Sequence, residues 1–347
     1  MTPTATVDAL VIGAGPVGLF QVFELGLLGL HAHVIDALPE PGGQCIELYA
    51  DKPIYDIPAT KVCTGRELIA RLMAQIEPFK AVFHLDQQVN VVERQDDGRF
   101  RVETSCGTQL LAKTIIIAGG VGSFQPRRLK IDGIQAFEGT QLFYRAPDAG
   151  MSFAHQSIVV IGDGDAALEC AASLAQQQDA HVTLMHRRDE FKAAPATIER
   201  VQQLRAAQRL HFIAAQSSGM QQSDDGRLAA LHITTAEGSS ASLPLDALLV
   251  LTGLSPKLGP IADWGLALER KQLVVDTASF QTSTPGIFAV GDVNTYPGKK
   301  KLILCGFHEA ALAAFGAAAH VFPDRPLHLE YTTTSPRLHR ALGVSTD

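Results

Sequence analysis

Two stretches of this chain place three small residues where a backbone can close around a phosphate. In the first, Gly13, Gly15 and Gly18 follow the apolar run that begins at Asp8. In the second, Gly162, Gly164 and Ala167 follow Ser157–Ile161. Small residues at these offsets permit a tight strand-to-helix turn, a close approach of main chain to a pyrophosphate and close packing of helix on strand. The helix N-terminus beyond the turn then offers free N–H groups and a positive dipole end to an anion. A single such turn is often only a turn. Two, each inside a strand–helix–strand context, point to two bound dinucleotides. Asp36 ends the strand after the first turn, where a carboxylate accepts bonds from ribose hydroxyls. The matching stretch of the second copy reads His186-Arg187-Arg188, with no acid. A carboxylate there would repel a 2′-phosphate, whereas Arg187 and Arg188 can form charge-assisted, bidentate bonds to it. The pattern selects NADP(H) over NAD(H).

These residues need elements to hold them. The first copy supplies a strand into Gly13, a helix through Leu28 and a strand His33–Asp36. Leu68, Leu72, Met73 and Ile76 recur at helical spacing, and short strands around Val89–Val92 and Phe100–Val102 flank the turn Asp96-Asp97-Gly98. Thr114–Gly120 reads as a buried strand ending in glycines. The second copy supplies a helix carrying Leu168 and Leu174, then a strand His181–His186. Ala247–Leu251 and Ile287–Val290 follow as strands, the latter ending in Gly291-Asp292.

The length of 347 residues suggests two domains, and 46% apolar with 19% charged residues provides for large buried cores without disorder. A net charge of −7 argues against broad nucleic-acid binding, and 6% aromatic residues argue against base-stacking platforms. Five irregularly spaced cysteines fit a reducing compartment. No basic residue precedes Ala9–Ile12, which runs into Gly13 as a strand rather than a signal peptide. The apolar run Ala310–Phe322 carries His320 and reads as too short to span a bilayer. The expectation is a soluble, cytoplasmic protein with neither membrane nor nucleic-acid contact. No His/Cys/Asp cluster has metal spacing, so no metal is expected.

The segment Thr282–Asp292 resembles the second flavin signature of two-dinucleotide flavoproteins, whose Asp binds the ribityl hydroxyls of FAD. With Gly42-Gly43-Gln44, both glycine turns and His186-Arg187-Arg188, the chain resembles the thioredoxin-reductase-like flavoproteins over essentially its whole length. The resemblance implies an α/β fold of two Rossmann-like dinucleotide-binding domains with three-layer ββα character. FAD falls to the first turn and NADP(H) to the second. An NADP domain, residues 119–284, is then inserted into a discontinuous FAD domain, residues 1–118 and 285–347. Disulfide-reducing members carry two cysteines beside the flavin, because thiol–disulfide exchange needs an attacking and a resolving sulfur. Among Cys45, Cys63, Cys106, Cys170 and Cys305 no two are separated by two residues, 144–157 holds no cysteine, and position 50 is Ala50. Direct dithiol chemistry is excluded, and Cys45 reads as a small buried residue near the flavin.

Leu48-Tyr49, Tyr55-Asp56-Ile57-Pro58, Lys301-Leu302-Ile303, Gly306-Phe307 and Glu309-Ala310 narrow the resemblance to the thioredoxin-reductase-type ferredoxin/flavodoxin–NADP reductases. That implies a homodimeric, FAD-dependent oxidoreductase moving electrons between NADPH and ferredoxin or flavodoxin. The flavin takes a hydride and releases electrons singly. By the same resemblance Tyr49 stacks on one flavin face and Gln44 bonds the flavin edge. In Tyr331–Pro336, Tyr331 caps the other face, with His328 in reserve, and Thr333 bonds the flavin. Tyr49 and Tyr331 are thus the candidate catalytic residues, and the cap must move to admit nicotinamide. Val89 touches adenine through its backbone, Phe124 lies beside the flavin and Asp292 holds the ribityl chain. Hydride transfer needs alignment more than acid–base chemistry, so no general base is assigned. Acidic partners imply a basic docking patch, with Arg127, Arg128 and Lys130, Lys299–Lys301, or Arg337 and Arg340 as candidates. Asp163 stands where relatives carry glycine and is expected to weaken NADPH binding near the pyrophosphate. Two alternatives stay open: an NAD(P)H flavin or quinone reductase, and a non-enzymatic flavin-binding protein.

Overall fold

The computed structural model describes residues 5–147, 151–177, 179–325 and 331–344, without the side chains of 123–126 and 254–257. Strand β1 (Ala5–Ile12) is buried over its apolar second half, as befits a parallel strand covered on both faces. Helix α1 (Pro16–Leu27) starts on a proline, whose fixed φ and missing N–H suit the first helical turn. Strand β2 (Ala32–Ile35) pairs parallel to β1, Ala9 opposite Ala32 and Ile12 opposite Ile35. Helix α2 (Gly65–Ile76) begins in a capping box: Thr64 accepts from the Glu67 amide and Glu67 accepts from the Thr64 amide. Its face Leu68, Leu72 and Ile76 is buried.

Strand β3 (Val82–His84) continues the parallel sheet beyond β2. β4 (Val89–Arg94) and β5 (Phe100–Thr104) form an antiparallel hairpin about the Asp96-Asp97-Gly98 turn. β6 (Gln109–Ile117) pairs antiparallel with β5 and parallel with β1, giving the order β3-β2-β1-β6-β5-β4. The order reverses beside β1, which opens a crevice at its carboxyl end.

The second unit, Phe124–Ser255, repeats the device. β7 (Ser157–Ile161), α3 (Asp165–Leu174), β8 (His181–His186), α4 (Pro195–Ala206) and β9 (Leu210–Gln222) succeed one another, β7, β8 and β9 lying parallel. β10 (Leu228–Thr235) and β11 (Ser240–Pro244) extend the sheet antiparallel. β12 (Ala247–Val250) returns to the other side of β7, so β7 is again the reversal point.

The first unit comprises Met1–Ser123 and Pro256–Asp347. Residues 256–284, expected with the second domain, therefore belong to the first: Ile261, Leu266, Leu273, Val275 and Phe280 are buried in its core. A strand signature marks where a chain re-enters a sheet, not where it first packs against that sheet's core. β13 (Ile287–Ala289) pairs parallel with β6, Ile287 opposite Ile115. α5 (Ile303–Val321) has 19 residues, so the run read as too short to span a bilayer lies in a helix long and apolar enough to do so. Its stripe Ala310, Ala313, Ala314, Ala317 and Ala318 is fully buried, which marks a helix packed into the core of this unit. α6 (Pro336–Ala341) follows, capped by Ser335, which accepts from the Leu338 amide.

Candidate functional site

In the first unit Gly13 adopts φ 112°, and a Cβ there would lie 2.4 Å from the Ala118 carbonyl oxygen. The carboxyl ends of β1 and β6 thus meet closely enough to demand glycine. At Gly18 a Cβ would fall 1.9 Å from the Gly13 oxygen, so α1 seats directly on the turn. Gly15 is the N-cap of α1 and no side chain caps that helix. Asp36 binds the turn from the end of β2: its Oδ2 accepts from the Ala14 amide at 2.5 Å and its Oδ1 from the Leu38 amide at 2.8 Å. Burial pushes this carboxyl up from its ordinary range, against the pull of these amides. Val89 starts β4 three residues after Asp86, whose amide donates to the Leu38 carbonyl, and the Gln87 amide donates to the Asp36 carbonyl. The structure therefore brings Val89 to the Asp36 end of the crevice.

Gly42, Gly43 and Gln44 close the other side. The Gly42 amide donates to the Ala14 carbonyl at 2.9 Å. Gln44 donates from Nε2 to Asp292 Oδ2 at 3.3 Å, joining residues 248 apart in sequence. Tyr49 is half-buried one helical turn further on and accepts from the Cys45 thiol at 3.6 Å. Burial, Cys45 and the charges of Asp292 and Asp56 raise its phenol above the ordinary range. Cys45 is fully buried and its thiol is also pushed up, chiefly by burial. A thiol held protonated in this way is a packing residue rather than a nucleophile.

One network escaped the sequence reading. Glu309, fully buried on α5, accepts from the Gly291 amide at 2.7 Å, Asn294 Nδ2 at 2.9 Å, Tyr296 hydroxyl at 2.9 Å and Lys299 Nζ. Lys299 also donates to the Gly291 carbonyl at 2.8 Å, and Gln272 donates to the Asp292 carbonyl at 3.1 Å. Gly291 is thus held at its N–H and its C=O, and Asp292 at its C=O. Lys299, a docking candidate by sequence, is 8% exposed and turned inward, and a charge buried that deeply requires a partner. Its spacing from Glu309 carried no recognisable period, so only the tertiary fold reveals the pair.

The remaining predicted residues do not join this cluster. Tyr331 is 70% exposed and Thr333 is exposed, in a turn closed by the Thr334 amide donating to the Tyr331 carbonyl. Among the described residues neither makes a hydrogen bond or ring contact with Gln44, Tyr49 or Asp292. α6 is tied by Arg337 to the Leu27 carbonyl at 3.3 Å, at the end of α1 remote from the glycine turn. His328 and the Phe124 side chain lie outside the described residues.

In the second unit Gly162 leaves 2.5 Å between a would-be Cβ and both Ala167 Cβ and the Leu251 oxygen. Ala167, fully buried, is therefore the third small residue of a turn closed between β7 and β12. Gly164 caps α3, again without a side-chain cap. At the end of β8 the exposed Arg187 and Arg188 make no ion pair among the described residues, while Asp189 is held bidentately by Arg205 at 2.8 and 2.9 Å. His186 Nδ1 lies 3.0 Å from the Arg188 oxygen. A cleft at the carboxyl ends of β7 and β8, beside the middle of β9, is lined by Ile161, Met185, His186, Arg187, Gln216 and Lys130, among others. Missed by sequence was Lys192: its amide donates to the Asp163 carbonyl at 2.7 Å and its Nζ lies 3.3 Å from Asp163 Oδ2. A cation shortly after a double-arginine turn was the available signal.

The residues present fit two dinucleotides: each turn is built so that a Cβ would fill it, each helix start lacks a side-chain cap, and the polar groups differ as the two adenosine ends would require. Residues 7–310 match the family model described as pyridine nucleotide-disulphide oxidoreductase. The chain is 60% identical over 338 residues to "Ferredoxin–NADP reductase 2" of Cupriavidus taiwanensis, covering 97% of this chain and 91% of that protein. It is 59% identical over 342 residues to "Ferredoxin–NADP reductase" of Methylibium petroleiphilum, covering 98% and 93%. Among solved structures, Lactococcus lactis thioredoxin reductase superposes with a TM-score of 0.60 at 26% identity, covering 91% of this chain and 99% of that one.

Proposed function

The chain belongs to the pyridine nucleotide-disulphide oxidoreductase family, and from that premise we infer that it is an FAD-dependent ferredoxin–NADP(+) reductase. The observation that carries this is the pairing of two unlike nucleotide turns in a chain with no disulfide among its described residues. The first has Asp36 behind it and Gln44–Asp292 beside it; the second has Arg187 and Arg188. Bound FAD supplies a hydride acceptor that can pass electrons on singly. The chain's own residues bind and orient. Gly13, Gly15, Gly18 and the start of α1 receive the FAD pyrophosphate, Asp36 a ribose and the Val89 backbone adenine. Gln44 and Asp292 fix the flavin and ribityl chain, and Tyr49 covers one ring face and excludes water there. Tyr331 and Thr333 are assigned to the opposite face, which the exposed turn ahead of α6 must reach, and Phe124 to the ring's flank. Gly162, Gly164 and Ala167 receive the NADP pyrophosphate, and Arg187 and Arg188 its 2′-phosphate. The FAD domain corresponds to the discontinuous unit and the NADP domain to the continuous one.

Ferredoxin is the electron partner, flavodoxin a second one, and the working form is a cytoplasmic homodimer. With Lys299 turned inward, Arg128 paired to Glu138 and Arg337 tied to α1, the candidate docking charges are Arg127 and Lys130 in the second unit, or Lys300 and Lys301, or Arg340, in the first. Stopped-flow absorbance of the FAD-loaded protein mixed anaerobically with NADPH or NADH tests the reading. Flavin bleached much faster by NADPH, followed by turnover with ferredoxin, supports it. Turnover with quinones or free flavin but not with ferredoxin favours the diaphorase alternative, and flavin that neither nucleotide reduces defeats both.

A further inference from the structure

Asp163 sits between the two glycines of the second turn, yet its side chain does not face the pyrophosphate end alone. Its Oδ2 lies 3.3 Å from Lys192 Nζ and 3.8 Å from His186 Nε2, so the carboxylate stands at the end of β8, beside the residue that precedes the double arginine. The aspartate itself is fixed. Its carbonyl accepts from the Lys192 amide, Gly164 bridges Lys192 in the parallel sense, and the next acid, Asp165, accepts from the Ala194 amide at 2.7 Å. Its carboxylate is 24% exposed, whereas Lys192 is 80% exposed. One member of the pair is anchored and the other is a flexible, solvated chain, and ion pairs of that kind are weak and readily exchanged.

We propose that Asp163 is a built-in counter-ion of the 2′-phosphate site: it holds Lys192 when no phosphorylated ribose is present, and its fixed charge lowers the affinity for that dianion. The proposal rests on the assignment of the second unit to NADP(H), and it moves the action of Asp163 from the pyrophosphate to the phosphate on the ribose. A dianion entering beside Arg187 and Arg188 recruits Lys192 and leaves the anchored carboxylate unpaired at close range. Repulsion of this order in a partly solvated site amounts to roughly a tenfold change in affinity. A nucleotide without the 2′-phosphate meets no such penalty, so Asp163 narrows the preference between the two nucleotides.

The test is calorimetric titration of the full-length FAD-loaded protein with 2′,5′-ADP and, separately, 5′-AMP. For Asp163→Asn the dissociation constant for 2′,5′-ADP is expected to fall about tenfold, with that for 5′-AMP unchanged within twofold. Asp163→Glu, which keeps the charge, stays near the parent, and Asp163→Asn combined with Lys192→Ala loses the gain. Asp163→Ser serves as a second neutral variant should Asp163→Asn misfold. Equal shifts for both ligands, or none in either neutral variant, overturn the proposal. Failure of 2′,5′-ADP to bind parent and neutral variants alike removes the NADP(H) assignment itself, and the proposal with it.

Discussion

At the level of single residues, Arg187 and Arg188 are unpaired by any neighbouring acid among the described residues, because Arg205 has taken Asp189. A hydrogen bond to a charged group contributes about 1.5–3 kcal/mol. Arg187→Ala or Arg188→Ala is therefore expected to raise KM for NADPH about tenfold to a hundredfold. KM for NADH should stay nearly constant, as steady-state ferredoxin reduction with each nucleotide would show. Glu309 answers to a different rule. It is fully buried and holds Lys299, Tyr296, Asn294 and the Gly291 amide at once. Removing one partner of a buried ion pair strands the other and costs about 3–5 kcal/mol. Glu309→Leu is expected to lower the urea midpoint by a corresponding amount and to release FAD on gel filtration, because Asp292 loses the grip on the peptide before it.

At the level of elements, the glycine turn is a steric device. The 1.9 Å between a would-be Gly18 Cβ and the Gly13 oxygen forces α1 away from β1 if any side chain is added. Gly18→Ala is expected to abolish FAD retention, read as loss of visible absorbance in the purified protein. By contrast Thr64→Ala, which removes one half of the capping box of α2, should cost about 1 kcal/mol with the flavin retained. Elements of this local kind were legible in the sequence, because the spacing of Gly13, Gly15 and Gly18, the Asp96-Asp97-Gly98 turn between β4 and β5, and the periodicity of α2 are short-range signals. Gln44 and Asp292 were found only through resemblance, since 248 residues separate them. The Lys299–Glu309 pair and the packing of residues 256–284 were not legible, because burial is a property of the fold. A lysine in a basic run looks the same in sequence whether it faces water or a carboxylate. The length of α5 was also underread: counting its apolar residues from Ala310 omitted the helical turns from Ile303 that hold Gly306 and Glu309.

At the level of the whole molecule, stability should depend on pH through the edge of the first sheet. His33 and His84 stack with ring centroids 5.3 Å apart, and His33 Nδ1 lies 3.0 Å from His84 Nε2. Burial first, and then the charges of His84 and His31, pull His33 down to about 4, and burial lowers His84 as well. An unfolded histidine titrates near 6.5, so between that pH and about 4 the unfolded chain binds more protons than the folded one. The contribution of this pair to folding stability therefore falls as pH drops through the window and is fully present above it, whereas Glu24, raised by burial to about 6, acts in the opposite sense. Urea midpoints of the parent and of His33→Asn, measured from pH 7.5 to 4.5, should converge below about 6.5, because the parent alone loses the contribution of His33 there.

The first unit is interrupted, and this orders its assembly in time. A ribosome synthesises all of Phe124–Ser255 before β13, Asp292 or Glu309. Throughout that interval the second unit is contiguous and can complete its own core, while the β1–β6 sheet lacks β13 and the alanine-faced helix that buries it. On the assignment proposed above, flavin capture therefore comes late in assembly, and nucleotide capture by the second unit can precede it. A nascent chain whose second unit has emerged while Ile287 is still inside the ribosome would carry a closed glycine turn in one half and an open sheet edge in the other, a stage in need of a chaperone.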